Sequence, residues 1–226
     1  MESKIPFVAY DFWAYLSAGF LLLFGFDSIA GTKLVMRDSW TVIQAVIAVS
    51  VAYALGQLVA SASSALFERL LVGKLLGYPR LALFGKSKAH RWVKRLLPTY
   101  FETLPTDTQS KVLEKAKSEG VTSPGESLFL LAFAKARETP AILSRLDNFL
   151  NMYGFARNIA LVALLDAGLF YWSYMQAEGP AEHLLYSRLA LLVGIGMLYR
   201  YLKFFRLYAH EVFTSFAYAK APEKKP

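Results

Sequence analysis

Four apolar stretches constrain this chain more than any other feature of its sequence. They run from Phe12 to Ala30, Trp40 to Ala62, Ala156 to Met175 and Leu189 to Leu202. A helix needs roughly 20 apolar residues to cross about 30 Å of hydrocarbon, and only the fourth stretch falls clearly short of that length. The pattern therefore predicts an all-α integral membrane protein with four transmembrane helices and a cytoplasmic helical insertion between the second and third.

Composition supports a membrane protein. Of the 226 residues 55% are hydrophobic, whereas soluble domains carry about 45–50%. The net charge is +8 although only 19% of residues are charged, which suits basic cytoplasmic segments better than a nucleic-acid-binding domain. The chain has no cysteine, so its residues form no disulfide and no thiolate metal site.

The first stretch has an alternative interpretation as a signal peptide. The residues before Gly31 resemble a signal-peptidase site. Glu2 and Asp11 dilute the basic start that such peptides need, and the apolar region is too long and too aromatic. We therefore expect the first stretch to be retained as a span.

Orientation follows from the placement of lysine and arginine. With four spans both termini share one side of the membrane, and only Lys33, Arg37 and Arg188 of the 25 basic residues fall on the other side. Basic residues near span ends mark the cytoplasmic face. We expect a multi-pass protein of a bacterial inner membrane with both termini in the cytoplasm.

The predicted spans divide the chain into four parts. Residues 1–76 hold the first two spans with a cytoplasmic extension, and residues 77–155 form a cytoplasmic α-helical domain. Residues 156–219 hold the last two spans with a juxtamembrane amphipathic helix, and residues 220–226 are a disordered basic tail.

Local signals predict the helices of the middle segment. Thr106 precedes Gln109 by three residues, and Ser123 precedes Glu126 by the same spacing, which is that of a capping box. Gly120 is expected to end the helix that Thr106 begins.

Two further helices are expected to be long. The second span should continue into the cytoplasm and stop at Gly77, which is followed by Tyr78 and Pro79. Thr139-Pro140 should open a helix that runs toward or into the third span. No strand-like alternation is visible, which favours an all-α domain.

Asp166 lies near the midpoint of the third span. An ionised carboxylate there is costly unless it is paired or hydrated, so the residue is a candidate proton site or pore lining. The alternative is a packing role, with a hydrogen bond to Tyr53 or Ser50 at similar depth.

The second span carries a stripe of small residues at every fourth position: Ala48, Ala52, Gly56, Ala60 and Ser64. Small residues let two helices approach closely in lipid. The sequence leaves open whether the neighbouring helix belongs to this chain or to another subunit.

The fourth span continues as an amphipathic helix with one basic and one aromatic side. Its basic side should meet polar groups from the other spans in a juxtamembrane ring. The ring comprises Glu68, Arg69, Arg157, Asn158, Arg200, Lys203, Arg206, His210 and Glu211. It is a candidate site for a ligand or partner, and the alternative is a set of salt bridges that tie the helices together.

Enzyme motifs are lacking in the sequence. The three histidines do not have metal-ligand spacing, and there is no P-loop, GxSxG or dinucleotide fingerprint. We therefore expect no catalytic residue, metal or cofactor. A nucleic-acid partner is not expected either, because the basic cluster is too short and too near the membrane; it comprises Lys86, Lys88, His90, Arg91, Lys94 and Arg95.

The leading functional interpretation is a binding, scaffold or effector subunit. Its expected partners are anionic lipid headgroups and either further copies of the chain or a cytoplasmic protein. The alternatives are an oligomeric ion or proton channel that uses Asp166, and a lipid-headgroup enzyme that uses His210 and Glu211.

Overall fold

The computed structural model describes residues 9–177 and 179–218, with side chains from Ala14 onward. These residues form helices and connecting loops and contain no strand, so the expected all-α class is confirmed for them. The helices are α1 (Ala9–Ala30), α2 (Val42–Ser63), a π-helical segment (Ser64–Leu76), α3 (Pro79–Ala82), α4 (Arg91–Leu96), α5 (Pro98–Phe101), α6 (Thr106–Ser118), α7 (Glu126–Ala136), α8 (Pro140–Tyr174) and α9 (Glu182–Tyr218). The predicted tail at 220–226 lies outside the described residues.

The chain divides into two compact units. The first unit comprises Met1–Glu68 with Tyr153–Tyr201, and the second comprises Arg69–Met152 with Leu202–Pro226. Helices α8 and α9 are therefore each divided between the two units, α8 after Met152 and α9 after Tyr201. The four-part division expected from the sequence, with boundaries after residues 76, 155 and 219, remains a prediction.

Three long helical stretches match the sequence signals. The stretch that begins with α2 continues through the π-helical segment and stops at Gly77. The φ of Gly77 is +79°, which is the left-handed conformation that glycine favours. Helix α8 begins at Pro140 and runs without a break for 35 residues. Helix α9 runs for 37 residues.

Two stretches are long and apolar enough to cross a membrane, Val42–Ala82 and Pro140–Tyr174. The apolar part of α1 with described side chains, Ala14–Ala30, is shorter. Core helices of soluble proteins pass the same test of length and composition. Length and composition thus hint at membrane association, and the two stretches contain the second and third of the four predicted spans.

Both predicted capping boxes are wrong. Thr106 lies inside α6, whose N-cap is the extended Pro105, and the Gln109 side chain donates to the Leu104 carbonyl. Helix α7 begins at Glu126, because extended Gly125 separates the helix from Ser123. Proline and glycine in extended conformations fix these two helix starts, so no side-chain cap forms at either.

A capping box occurs instead at the start of α2. The Gln44 backbone N–H donates to the Thr41 hydroxyl, and the Thr41 backbone N–H donates to the Gln44 side chain. The predicted stop of α6 is confirmed, since Gly120 follows the helix with a φ of +83°.

The first unit packs α1 directly against α2. A methyl group added at Gly19 would overlap the Ala52 backbone, and one added at Gly56 would overlap the Tyr15 backbone. Two backbones in such close contact exclude side chains larger than hydrogen at these positions. The small residues therefore set the distance between the two helices.

The second unit has a hydrophobic core of its own. Its centre is Phe213 of α9, whose ring lies 5.1 Å from that of Phe84 and 5.8 Å from that of Phe129. Ala209, Val212, Phe213 and Phe216 repeat with helical spacing and are all buried. Val212 and Phe216 belong to the aromatic side of α9 that the sequence predicted, whereas the central Phe213 lies outside it.

Candidate functional site

Asp166 projects from α8 toward α1 in the first unit. The side chain is buried, and a methyl group at Gly25 would overlap its carboxylate. Within the described residues, Oδ1 has no hydrogen-bond partner. The Asp166 carboxylate thus lies close to Gly25, in space that a side chain at position 25 would otherwise fill.

The two hydrogen-bond partners suggested for Asp166 have other contacts. Ser50 is exposed and donates to the Val46 carbonyl of its own helix, at 2.8 Å. The Tyr53 ring packs edge-on against Tyr15, with centroids 6.0 Å apart. The sequence placed Asp166 in the right helix and missed the glycine on α1 that faces it.

Part of the stripe of small residues packs against α1 of the same chain, at Ala52 and Gly56. Ala52 and Gly56 are buried at the contact, and Ala48, Ala60 and Ser64 are half-buried. Ala52 and Gly56 therefore serve an intrachain contact, and the role of the other three stays a prediction.

A polar cluster joins α2 to α8 in the first unit. The Ser63 hydroxyl donates to Asn158 Oδ1 at 2.8 Å, and Arg157 Nε donates to the Ser63 hydroxyl at 3.1 Å. The Arg157 guanidinium also pairs with the Glu68 carboxylate in the π-helical segment. Ser63 and Asn158 are almost fully buried.

This polar cluster lies where the α-helical hydrogen bonding of α2 gives way to π-helical bonding. Side chains 89 to 95 positions apart in the sequence meet there. Mutual bonding of Arg157 with Glu68 and of Asn158 with Ser63 favours a structural tie between helices over an open ligand site for these members of the predicted ring.

In the second unit, the charged residues of α9 bind other helices and loops. Arg206 donates to the Glu102 carbonyl at 2.9 Å, and Glu211 pairs with Arg145 at 3.0 Å. His210 Nδ1 lies 3.2 Å from the Thr214 hydroxyl. Within the described residues, His210 contacts Thr214 and Glu211 contacts Arg145. These contacts give no support to the lipid-headgroup enzyme.

Burial lowers the pKa of His210 below its ordinary value, and the positive charge of Arg206 lowers it further. Glu211 and Glu102 oppose the shift with smaller effects. His210 therefore stays neutral in the folded second unit around neutral pH.

Three members of the predicted ring are exposed. Arg69 and Lys203 belong to the second unit, and Arg200 belongs to the first. Arg69 and Lys203 are available to an anionic partner at low cost, because neither has to leave a buried pair first.

The sequence analysis missed a role for Asp27. Its carboxylate accepts hydrogen bonds from the Leu34 and Val35 backbone N–H groups at 2.7 and 2.8 Å, and from the Thr32 hydroxyl. It thereby organises the loop between α1 and α2. An acidic residue one turn before the helix-ending Gly31 was the available signal.

Near the start of α9, His183 is also buried, and its Nδ1 lies 2.9 Å from the Ser173 hydroxyl. Its ring packs against Phe170 and Tyr186. This arrangement ties the end of α8 to the start of α9.

No group of three or more His, Asp or Glu side chains in the described ranges is arranged to hold a metal ion. Comparison with protein-family models, curated proteins and solved structures found no match to this chain.

Proposed function

We propose that the chain is a multi-pass protein of a bacterial inner membrane that acts as a binding or scaffold subunit through its helical second unit. The observation that carries this proposal is the apolar surface of the first unit. Val42, Ile43 and Leu192 are 81%, 72% and 70% exposed, and they lie among many similarly exposed aliphatic residues of α2 and α9.

An apolar surface of this kind has to be shielded from water. Monomeric soluble proteins rarely expose contiguous apolar patches of more than a few hundred Å². Each Å² of apolar surface costs roughly 25 cal/mol in water. Lipid removes that cost, and helices satisfy their backbone hydrogen bonds internally, as a bilayer requires.

Four spans account for this surface better than two. Helix α1 lies in close backbone contact with α2, and the first part of α9 exposes Leu189, Leu191 and Leu192. The Gly194 backbone also lies close to the Leu164 side chain of α8. Placing α2 and α8 in lipid therefore brings α1 and the first part of α9 with them.

Charge placement supports a cytoplasmic second unit. Lys33, Arg37 and Arg188 are the basic residues left on the opposite side by a four-span arrangement. The long middle segment carries less weight than residues near span ends. Arg69, Arg157 and Arg200, which lie near span ends, point to the same orientation.

The charged residues of α9 favour binding over catalysis. Arg206 and Glu211 are engaged with Glu102 and Arg145, so they serve the structure of the second unit. Arg69 and Lys203 are exposed and suit an acidic partner surface, either a protein or another copy of the chain.

Membrane extraction and topology test the location. Alkaline carbonate should leave the chain in the membrane pellet, and a reporter fused after Gly120 should be active in the cytoplasm. Release into the supernatant or an external reporter would overturn the proposal.

Assembly size tests the binding role. In nanodiscs drawn directly from native membranes, the wild-type chain should appear in a complex larger than one copy. Arg69→Glu/Lys203→Glu should shrink that complex, whereas the matched exposed changes Lys117→Glu/Arg137→Glu should not. A lone monomer for every variant would contradict a scaffold role.

A proton pathway is the second candidate, favoured by the buried Oδ1 of Asp166 that lacks a hydrogen-bond partner in the described residues. If it operates, proton flux into liposomes should occur with wild type and with the Asp107→Asn control and vanish in Asp166→Asn. Equal flux in Asp166→Asn would leave Asp166 a packing residue.

A further inference from the structure

The second unit presents an exposed surface in which apolar and basic side chains alternate. Trp92 and Leu96 of α4 are 63% and 69% exposed. Around them lie exposed basic residues on α4 and on the loop before it, namely Lys86, Lys88, Arg91 and Arg95. We call these six residues the α4 patch.

The patch is held in place from the inner side of α4. Val93 is buried, and Lys94 Nζ donates to the Ser87 carbonyl at 3.0 Å. The Ser87 hydroxyl donates to the Leu76 carbonyl at 2.7 Å, which fixes the preceding loop. Trp92 and Leu96 are four positions apart and therefore share one helix face that points away from these anchors.

The charge of the patch is uncompensated. The sequence has no Asp or Glu from Pro79 to Phe101. Within the described residues, Arg80, Lys135, Arg145 and Arg206 make the ion pairs of the second unit, and the basic residues of the α4 patch make none. A local positive field therefore surrounds two exposed apolar side chains.

We propose that the α4 patch binds an anionic phospholipid surface. Trp92 and Leu96 enter the interfacial region, and the four basic side chains bind headgroup phosphates. Tryptophan prefers the membrane–water interface, and clustered lysine and arginine bind anionic leaflets. This inference rests on the proposed membrane location and adds a second, lipid-selective contact to it.

Lipid fits the patch better than nucleic acid does. A nucleic-acid surface needs basic residues along a phosphate track, and an exposed leucine at its centre contributes nothing to phosphate binding. A membrane interface uses both classes of side chain at once, since the apolar pair enters the acyl boundary while the cations remain at the headgroups.

Depth-dependent fluorescence quenching tests the proposal on the full chain. Trp13, Trp40 and Trp172 are changed to phenylalanine so that Trp92 is the single tryptophan, and the protein is placed in nanodiscs that contain brominated phospholipid. Nanodiscs of phosphatidylglycerol are compared with nanodiscs of phosphatidylcholine. We expect Trp92 to be quenched in phosphatidylglycerol and to lose most of that quenching in phosphatidylcholine.

Charge reversal separates the patch from general basicity. Arg91→Glu/Arg95→Glu should abolish the quenching in phosphatidylglycerol, while Lys117→Glu/Arg137→Glu, with the same change in net charge, should retain it. Unquenched Trp92 in phosphatidylglycerol, or equal quenching in all samples, would overturn the proposal. So would an emission change on adding single-stranded DNA without any quenching by lipid.

The two proposals fail separately. A chain that resists carbonate extraction but leaves Trp92 unquenched overturns the α4 inference alone. A chain that carbonate releases overturns the membrane location itself.

Discussion

The two units of the molecule treat their apolar side chains in opposite ways. In the second unit, Val212 and Phe213 are fully buried in a closed core of several helices. In the first unit, Ile43 and Leu192 are 72% and 70% exposed, and close contacts between helices are made by small residues. The arrangement in the first unit is typical of packing in lipid, and that in the second unit is typical of folding in water.

Helix α9 contains both arrangements within one element. Its early part exposes the aliphatic side chains of Leu189, Leu191, Leu192, Val193 and Ile195. Its later part, from Ala209 to Phe216, supplies the buried face of the second unit. Both parts are rich in large apolar residues, so composition alone does not separate them. The two parts differ in their surroundings. Experiments that change one part at a time can therefore test the contrast between the units.

The largest expected effect is the loss of Phe213. Phe213→Ala removes a fully buried ring that contacts Phe84 and Phe129, and it should lower the stability of the second unit by about 3–5 kcal/mol. Hydrogen exchange of the second-unit amides in the full chain measures the change. Leu192→Ala, an exposed position, should cost less than about 0.5 kcal/mol. Equal losses of stability in Phe213→Ala and Leu192→Ala would contradict the contrast between the two units.

Gly56→Leu should destabilise the first unit by about 3 kcal/mol, because the new side chain overlaps the Tyr15 backbone. Thermal unfolding in detergent measures it. Gly168→Leu is the matched control, since an added side chain there meets open space. A melting temperature unchanged by Gly56→Leu would contradict the close contact of α1 with α2.

Arg157→Met should cost about 2 kcal/mol, because it leaves the Glu68 carboxylate without its ion-pair partner and removes the hydrogen bond that Arg157 Nε donates to the buried Ser63 hydroxyl. Lys135→Met removes an exposed ion pair with Glu138 and should cost no more than about 0.5 kcal/mol. Thermal unfolding compares the two variants. The double variant Arg157→Met/Glu68→Leu should recover part of the loss, and no recovery would argue against a tie through this pair.

The smallest effect is a pH dependence of the second unit. Since burial holds the folded pKa of His210 below its ordinary value of 6.5, the unfolded chain takes up the proton first as the pH falls. Stability should decline below about pH 6.5 and level off once the folded pKa is passed. His210→Gln should flatten the slope that hydrogen exchange reports between neutral and mildly acidic pH, and an unchanged slope would assign it to other groups.

Features local in sequence were predicted where a single residue decides the outcome. Gly77 and Gly120 end helices because left-handed backbone suits glycine, and Pro140 opens α8 as its sequence position suggested. The spacing of Ala52 and Gly56 predicted a close helix contact, because a period of four is visible without a structure.

Features that need a partner distant in the sequence were missed. Gly25 beside Asp166 and Ser63 beside Asn158 join different helices, and no local pattern brings them together. For the same reason the sequence did not choose between a structural tie and a ligand site for the juxtamembrane ring.

Single cysteines test the central claim most directly, since the chain has none of its own. If the first unit faces lipid and the second faces the cytoplasm, a water-soluble maleimide should not label Leu192→Cys until the membrane is dissolved in SDS. It should label Lys33→Cys in intact cells and Ser118→Cys only after the inner membrane is opened. Labelling of Leu192→Cys in intact membranes, or of Ser118→Cys from outside the cell, would contradict the account.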